Sequence, residues 1–305
     1  MPSQRLTPST VALLTLPPLM WASNAIVGRL VAGMIPPVLL NFLRWVLVFA
    51  LLLPLAAAVL RRGSGLWEHR RGLLLLGLLS VGCYNALQYL ALQTSTPINV
   101  TLVGSSLPVW MLAIGLLFGA PVSHRQLLGA ALSVAGVLVV LARGELQQLL
   151  HLRLVPGDLY MLAATLAWAA YSWLLTRPGY PASLRAHWAG FLMAQVVFGL
   201  PWAGAFALGE ALWMGPVATA WGWPLAGALL YIALGPSLTA YLCWGAGVRR
   251  VGPSTAGFFA NLTPLFAVLL SGLVLREPPR LYHGLAFALI VGGIVVSSRR
   301  PEAAR

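Results

Sequence analysis

A chain of 305 residues with 59 % hydrophobic and only 8 % charged residues, at a mean hydropathy of +0.85, cannot cover a water-facing surface, because soluble domains carry roughly 25 % charged residues. Lipid must be its main solvent, and at about 20 apolar residues per crossing ten spans use most of the length and leave no room for a soluble domain. The net charge of +13 comes from 19 Arg and no Lys, scattered in small groups between apolar runs, as the positive-inside bias of membrane proteins requires and a nucleic-acid surface does not.

In chain order, apolar runs bounded by Arg, Pro and Gly predict an all-α integral membrane fold. Its helices lie near 9–32, 37–60, 71–93, 97–118, 125–143, 156–176, 185–207, 223–246, 253–274 and 281–298. The first run is expected to be a retained helix rather than a cleaved leader. Alternate connections differ in charge: one side collects thirteen Arg, counting the termini, and the other only Arg143, Arg153, Arg276 and Arg280. Both termini are therefore expected in the cytoplasm, with the chain in the cytoplasmic (inner) membrane. Cys83 and Cys243 fall inside apolar runs, where thiols act as small hydrophobes.

The chain also repeats itself. A shift of 156 places Pro97 on Pro253, Pro108 on Pro264, Gly136 on Gly292 and Arg143 on Arg299. A shift of 147 places Leu19-Met20-Trp21-Ala22 on Leu166-Ala167-Trp168-Ala169. Two five-span halves follow, 1–150 and 151–305. An odd span count makes the copies enter the membrane in opposite directions, and inverted repeats place a binding site at their interface near the bilayer midplane.

Polar residues within spans mark where that site is expected, since they face the bundle interior or a water-filled cavity. Asn85, Gln88 and Tyr89 share one face of the third span at i, i+3, i+4, and the shift maps Asn85 onto Tyr241 and Gln88 onto Trp244. Trp168, Tyr171 and Ser172 share a face of the sixth span, opposite Trp21 and Asn24 of the first. Trp110 and Asn261 lie beside the helix-breaking Pro108 and Pro264, and Gly235-Pro236 interrupts the eighth span. Each polar cluster reads either as a cavity wall or as interhelical hydrogen bonding. Arg44, roughly 10 Å into the second span at ~1.5 Å per residue, either snorkels to the interface or holds a carboxylate. Glu277, beside Arg276, reads as a structural or gating charge.

Several of these motifs resemble the EamA-type branch of the drug/metabolite transporter superfamily. Met20-Trp21-Ala22-Ser23-Asn24 and Asn41-Phe42-Leu43-Arg44-Trp45 are similar to that family's entry motif and second-helix Arg. Tyr241-Leu242-Cys243-Trp244, Gly252-Pro253-Ser254, Leu262-Thr263-Pro264, Leu275-Arg276-Glu277 and Gly284 are similar to its second-repeat pattern. Pro121 stands where the second repeat has Glu277, a departure from the pattern. The resemblance implies a ten-helix secondary transporter with a cavity lined by helices 1, 3, 4, 6, 8 and 9. It implies export of amino acids or related metabolites, a small-molecule substrate and a lipid surround, as monomer or homodimer. No cofactor, metal or nucleic-acid motif appears in the sequence, and no enzymatic activity is expected. The rival readings are a channel or scramblase and, further off, a membrane-embedded lipid-modifying enzyme, which would need clustered carboxylates or histidines.

Overall fold

In hydrocarbon, every backbone N–H and C=O must find its partner within the protein, so apolar runs of this length have the helix as their solution. The computed structural model describes residues 6–31, 33–95, 100, 103–142, 145, 147, 155–177, 179–181, 184–185, 187–215, 219–275 and 281–298. Its described elements are all helical: α1 Pro8–Leu30, α2 Pro37–Ala56, α3 Arg70–Thr94, α4 Leu107–Leu117, α5 His124–Leu141 and α6 Pro156–Leu174. They continue with α7 Trp188–Met214, α8 Trp223–Val251, α9 Pro253–Ala260, α10 Thr263–Leu275 and α11 Leu281–Ser298. Among the described residues, seven helical stretches are long and apolar enough to cross a membrane, with α9 and the start of α10 counted together as Pro253–Leu270, and two shorter apolar helices lie at Leu107–Leu117 and His124–Val139. Exposed Trp67, Trp188, Trp213, Trp221 and Trp223 sit near helix ends, where amphipathic rings meet the headgroup layer.

Packing follows the internal repeat. Helix α1 packs on α8 and α10, while its counterpart α6 packs on α3 and α4. Counterparts α2 and α7 pack on each other, as do α5 and α11. Both of those pairs run antiparallel. The amides of Val38 and Leu39 at the start of α2 donate to the Glu210 carboxylate near the end of α7, at 2.9 and 2.8 Å. At the other end, Val59 beyond α2 reaches Gly190 at the start of α7. This carboxylate satisfies amides that a helix start leaves without intrahelical partners.

Small residues set the closest seams, as expected where no hydrophobic effect drives helices together in lipid. A Cβ added to Gly293 of α11 would lie 2.6 Å from the Gly129 carbonyl oxygen of α5, and one on Gly129 would lie 2.7 Å from the Gly293 oxygen. Backbone touches backbone there, and no side chain fits.

The helices depart from the sequence expectation in four places, the first being the span expected at 97–118, which turns at Ser105-Ser106 before α4. The span expected at 253–274 is broken at Asn261-Leu262 into α9 and α10. Helix α7 runs to Met214, seven residues beyond the expected 207, because the apolar run continues through Ala211 and Leu212. Helices α3 and α8 each contain a π-helical stretch, Leu78–Tyr84 and Ala233–Thr239. The second holds Gly235 and Pro236; the first is its counterpart under the 156 shift to within one residue, with no proline of its own. Pro97, Arg143, Arg153, Arg276, Glu277, Arg280 and Arg299 lie outside the described residues.

Gly293→Ala should lower the unfolding temperature in detergent, by an overpacking cost of about 1–3 kcal/mol. Gly292→Ala, one residue away and with nothing within 4 Å, should not lower it. Equal losses in the two variants would remove the close seam as the cause.

Candidate functional site

Trp168 lies on the inner face of α6, buried to 1 % exposure, at the centre of a ring cluster. Trp21, Tyr84, Tyr171, Tyr241 and Trp244 surround it at centroid distances of 5.3, 4.9, 5.0, 5.1 and 5.8 Å. Trp45 of α2 extends the cluster, 4.9 Å from Tyr241. Most of these contacts are edge-on or tilted, the arrangements in which an aromatic quadrupole attracts a neighbour. Four helices, α1, α3, α6 and α8, supply the cluster around Trp168.

Hydrogen bonds tie the rings to the helices. The Trp244 indole N–H donates to Ser172 Oγ at 3.0 Å, and that hydroxyl donates to the Trp168 carbonyl at 2.8 Å. Tyr171 Oη donates to Gln195 Oε1 on α7 at 2.9 Å. Tyr241 Oη donates to the Ser80 carbonyl at 3.1 Å, and Asn85 Nδ2 reaches the same hydroxyl at 3.5 Å. Ser80 lies in the π-helical stretch of α3, where a widened turn disturbs the regular pairing of backbone carbonyls.

Residues related by the repeat meet here. Asn85 and Tyr241 differ by the 156 shift, Trp21 and Trp168 by the 147 shift, and each pair is in contact. Each contact links a residue of 1–150 to one of 151–305.

Of the residues singled out from the sequence, Asn85, Trp168, Tyr171, Ser172, Tyr241 and Trp244 are brought together in this cluster. Asn24 is buried with Oδ1 lacking a hydrogen-bond partner. Gln88 is half-buried, and Tyr89 packs beside Leu225 and Ile232 of α8. Trp110 is held apart, its N–H on Ser106 Oγ at 3.0 Å. Asn261 sits buried at the α9–α10 break with Nδ2 unpartnered. Pro108 and Pro264 occupy the second positions of α4 and α10, so each starts a helix after a break, where a missing N–H costs nothing.

Arg44 does not snorkel. It is 1 % exposed, its Nη1 reaches Tyr89 Oη at 3.4 Å and its guanidinium carbon lies 5.3 Å from the Trp45 ring centroid. Sequence reasoning gave Gln195, Asn41 and Trp45 no role in the site. Each stands in an apolar run, and a lone polar residue in such a run was the available signal for the first two.

A separate cleft of about 480 Å³ opens at the end of the bundle where α3 starts, lined by Glu68, His69, Arg70, Arg71, Arg177 and Tyr180 among others. None of the residues predicted for the site lines it. Burial pushes the Tyr180 phenol above its ordinary value, while Arg185 and Arg177 draw it down.

Comparison with known proteins places this geometry. The profile of the EamA-like transporter family matches the chain twice, at residues 8–142 and 155–299. An uncharacterized transporter of Archaeoglobus fulgidus is 26 % identical over 296 residues, covering 95 % of this chain and 98 % of that protein. The aromatic amino acid exporter YddG of Ancylobacter novellus is 27 % identical, covering 92 % and 93 %. A crystal structure with 24 % identity superposes with a TM-score of 0.71, over 94 % of this chain and 96 % of the other, a likeness of fold alone. A multi-pass helical membrane chain matched by the family profile over almost its whole length is a transporter and not an enzyme, and it belongs to the EamA-like transporter family.

Proposed function

We propose that the protein is a secondary transporter that exports small organic metabolites, amino acids or close relatives, across the cytoplasmic membrane by alternating access. It has ten spans in two inverted five-span halves, 1–150 and 151–305, with both termini in the cytoplasm. The observation that carries this reading is the pairing of repeat-related residues, Asn85 with Tyr241 and Trp21 with Trp168, at the join of the halves.

Counterparts that touch must lie close to a two-fold axis. Because the counterpart helices α2 and α7 run antiparallel, as do α5 and α11, such an axis lies across the helices and therefore in the membrane plane. That is the symmetry of inverted-repeat carriers, in which rocking of one half against the other exposes a midplane site to each side in turn. The loop carbonyl of Met34 accepts from the Ala220 amide at 2.8 Å, which fits both loops lying on one side, as ten spans with cytoplasmic termini require. The π-helical stretches of α3 and α8 flank the site, and π turns recur at functional positions in helices. An aromatic cluster with few polar groups suits amino acids with apolar or aromatic side chains. The name of the exporter from Ancylobacter novellus agrees with that class. Close ring packing favours a carrier over an open channel, which needs a continuous water path.

In proteoliposome counterflow assays, Trp168→Ala should slow bulky and aromatic substrates more than small ones, by about tenfold if one stacking contact of ~1.5 kcal/mol is lost. An equal loss for every substrate assigns Trp168 to packing instead. With Cys83 and Cys243 replaced by Ser, a cysteine at Trp221 should react with a membrane-impermeant maleimide on intact cells, and one at Arg62 should not. Labelling of both positions would sink the proposed topology.

A further inference from the structure

Arg44 presents an unsolved electrostatic problem. Its guanidinium is buried within α2, its Nε has no hydrogen-bond partner, and Nη1 has only the long contact to Tyr89. Among the described residues, no carboxylate lies within ion-pair distance of it. The chain has six acidic residues, and those described are placed elsewhere. Both oxygens of Glu210 accept from the α2 amides. Asp158 accepts from the Ser95 hydroxyl and the Val155 amide. Glu68 lines the cleft at the far end, and Glu145 lies beyond the end of α5. An unpaired cation inside a membrane protein is among the costliest groups a core can hold, and such residues mark substrate paths.

A second orphan stands beside it. Asn41 lies one turn earlier on α2 and is fully buried; its Nδ2 donates to the Val81 carbonyl at 3.2 Å, but its Oδ1 has no partner. Residues three apart on a helix share a face, with Cβ atoms roughly 5–6 Å apart. One helix face therefore offers an unsatisfied cationic donor and an unsatisfied neutral acceptor. The acid and amine groups of an α-amino acid complement that pair: carboxylate to guanidinium, ammonium to amide oxygen. The face also adjoins the rings. Trp45 lies under the Arg44 guanidinium and against Tyr241, which touches Trp168.

We propose that Arg44 and Asn41 form the head-group anchor of the transport site, so that the transported species carries a carboxylate and is not an organic cation. The anchor rests on the carrier reading given above. The apolar part of the substrate lies against Trp45, Tyr241 and Trp168, and the carboxylate supplies the anion that no described residue provides. A cation without a carboxylate meets a bare guanidinium and is repelled.

The test compares matched compounds in wild-type proteoliposomes: phenylalanine, leucine and glutamine, each beside its methyl ester and its decarboxylated amine, with tetraphenylphosphonium as a lipophilic cation. The free acids should move at least about tenfold faster than their esters and amines, the discrimination expected when one charge-assisted hydrogen bond is lost. Arg44→Gln should lower amino-acid flux by a similar factor, Arg44→Lys should restore part of it, and Asn41→Ala should raise the half-saturating concentration. Esters, amines or the phosphonium moving as fast as the acids would overturn the anchor and leave the carrier standing. No flux of any compound by wild-type protein overturns the carrier reading itself. Because the first comparison uses wild-type protein, misfolding of an Arg44 variant leaves the proposal decidable.

Discussion

The hydroxyl of Tyr241 has to find partners inside the bundle, because lipid offers none. It takes them both from α3: it donates to the Ser80 carbonyl in the π-helical stretch and receives the Asn85 amide. One phenol thus fixes where α8 sits against α3, and with it the register of one half of the chain against the other. The seat lies in a π-helical stretch, and π turns recur at functional positions in helices. Trp168 then packs against Tyr241, and Trp21 and Trp244 pack in turn on Trp168.

The rest of the bundle is arranged so that this contact is not the only tie. Antiparallel α5 and α11 meet backbone to backbone at Gly129 and Gly293, and α2 meets α7 through the Glu210 carboxylate. Between these outer seams, α1, α3, α6 and α8 carry the aromatic and polar residues. The proposed carrier would use this division: firm seams that keep the helices together, and a central face whose contacts can be exchanged for a substrate.

Much of this was legible in the sequence, because a repeat and a run of polar residues in apolar helices are strong signals. The shifts of 156 and 147 pointed to Asn85 with Tyr241 and to Trp21 with Trp168, and both pairs meet. Other features left no trace. The π-helical stretch at Leu78–Tyr84 has no proline to announce it, whereas Gly235-Pro236 announced its counterpart. Gln195 and Asn41 have no polar partner at the repeat-related position, so the internal comparison passed over them. Arg44 lies about as far from a helix end as an arginine can reach at ~1.5 Å of rise per residue; which face it occupies decides its fate, and distance along the sequence does not carry that information. Glu277 and the arginines around it lie outside the described residues.

The two mouths of the bundle are closed by unlike chemistry. Where α3 ends and α6 begins, Asp158 is bonded to the Ser95 hydroxyl and the Val155 amide, and Gly157 presses on the Ala91 carbonyl. The repeat-related positions at the opposite end are Val11 and Val251, where Leu14 packs on Gly247 and, among the described residues, the polar contact between α1 and α8 at this end is the exposed Arg250–Ser9 hydrogen bond. Shape is duplicated between the halves, but bonding is not. Parting α3 from α6 at the first end breaks the Ser95–Asp158 hydrogen bond, whereas parting α1 from α8 at the second separates chiefly hydrocarbon among the described residues. The two ends of the bundle therefore differ in what it costs to part their helices, before any ligand or gradient acts on them.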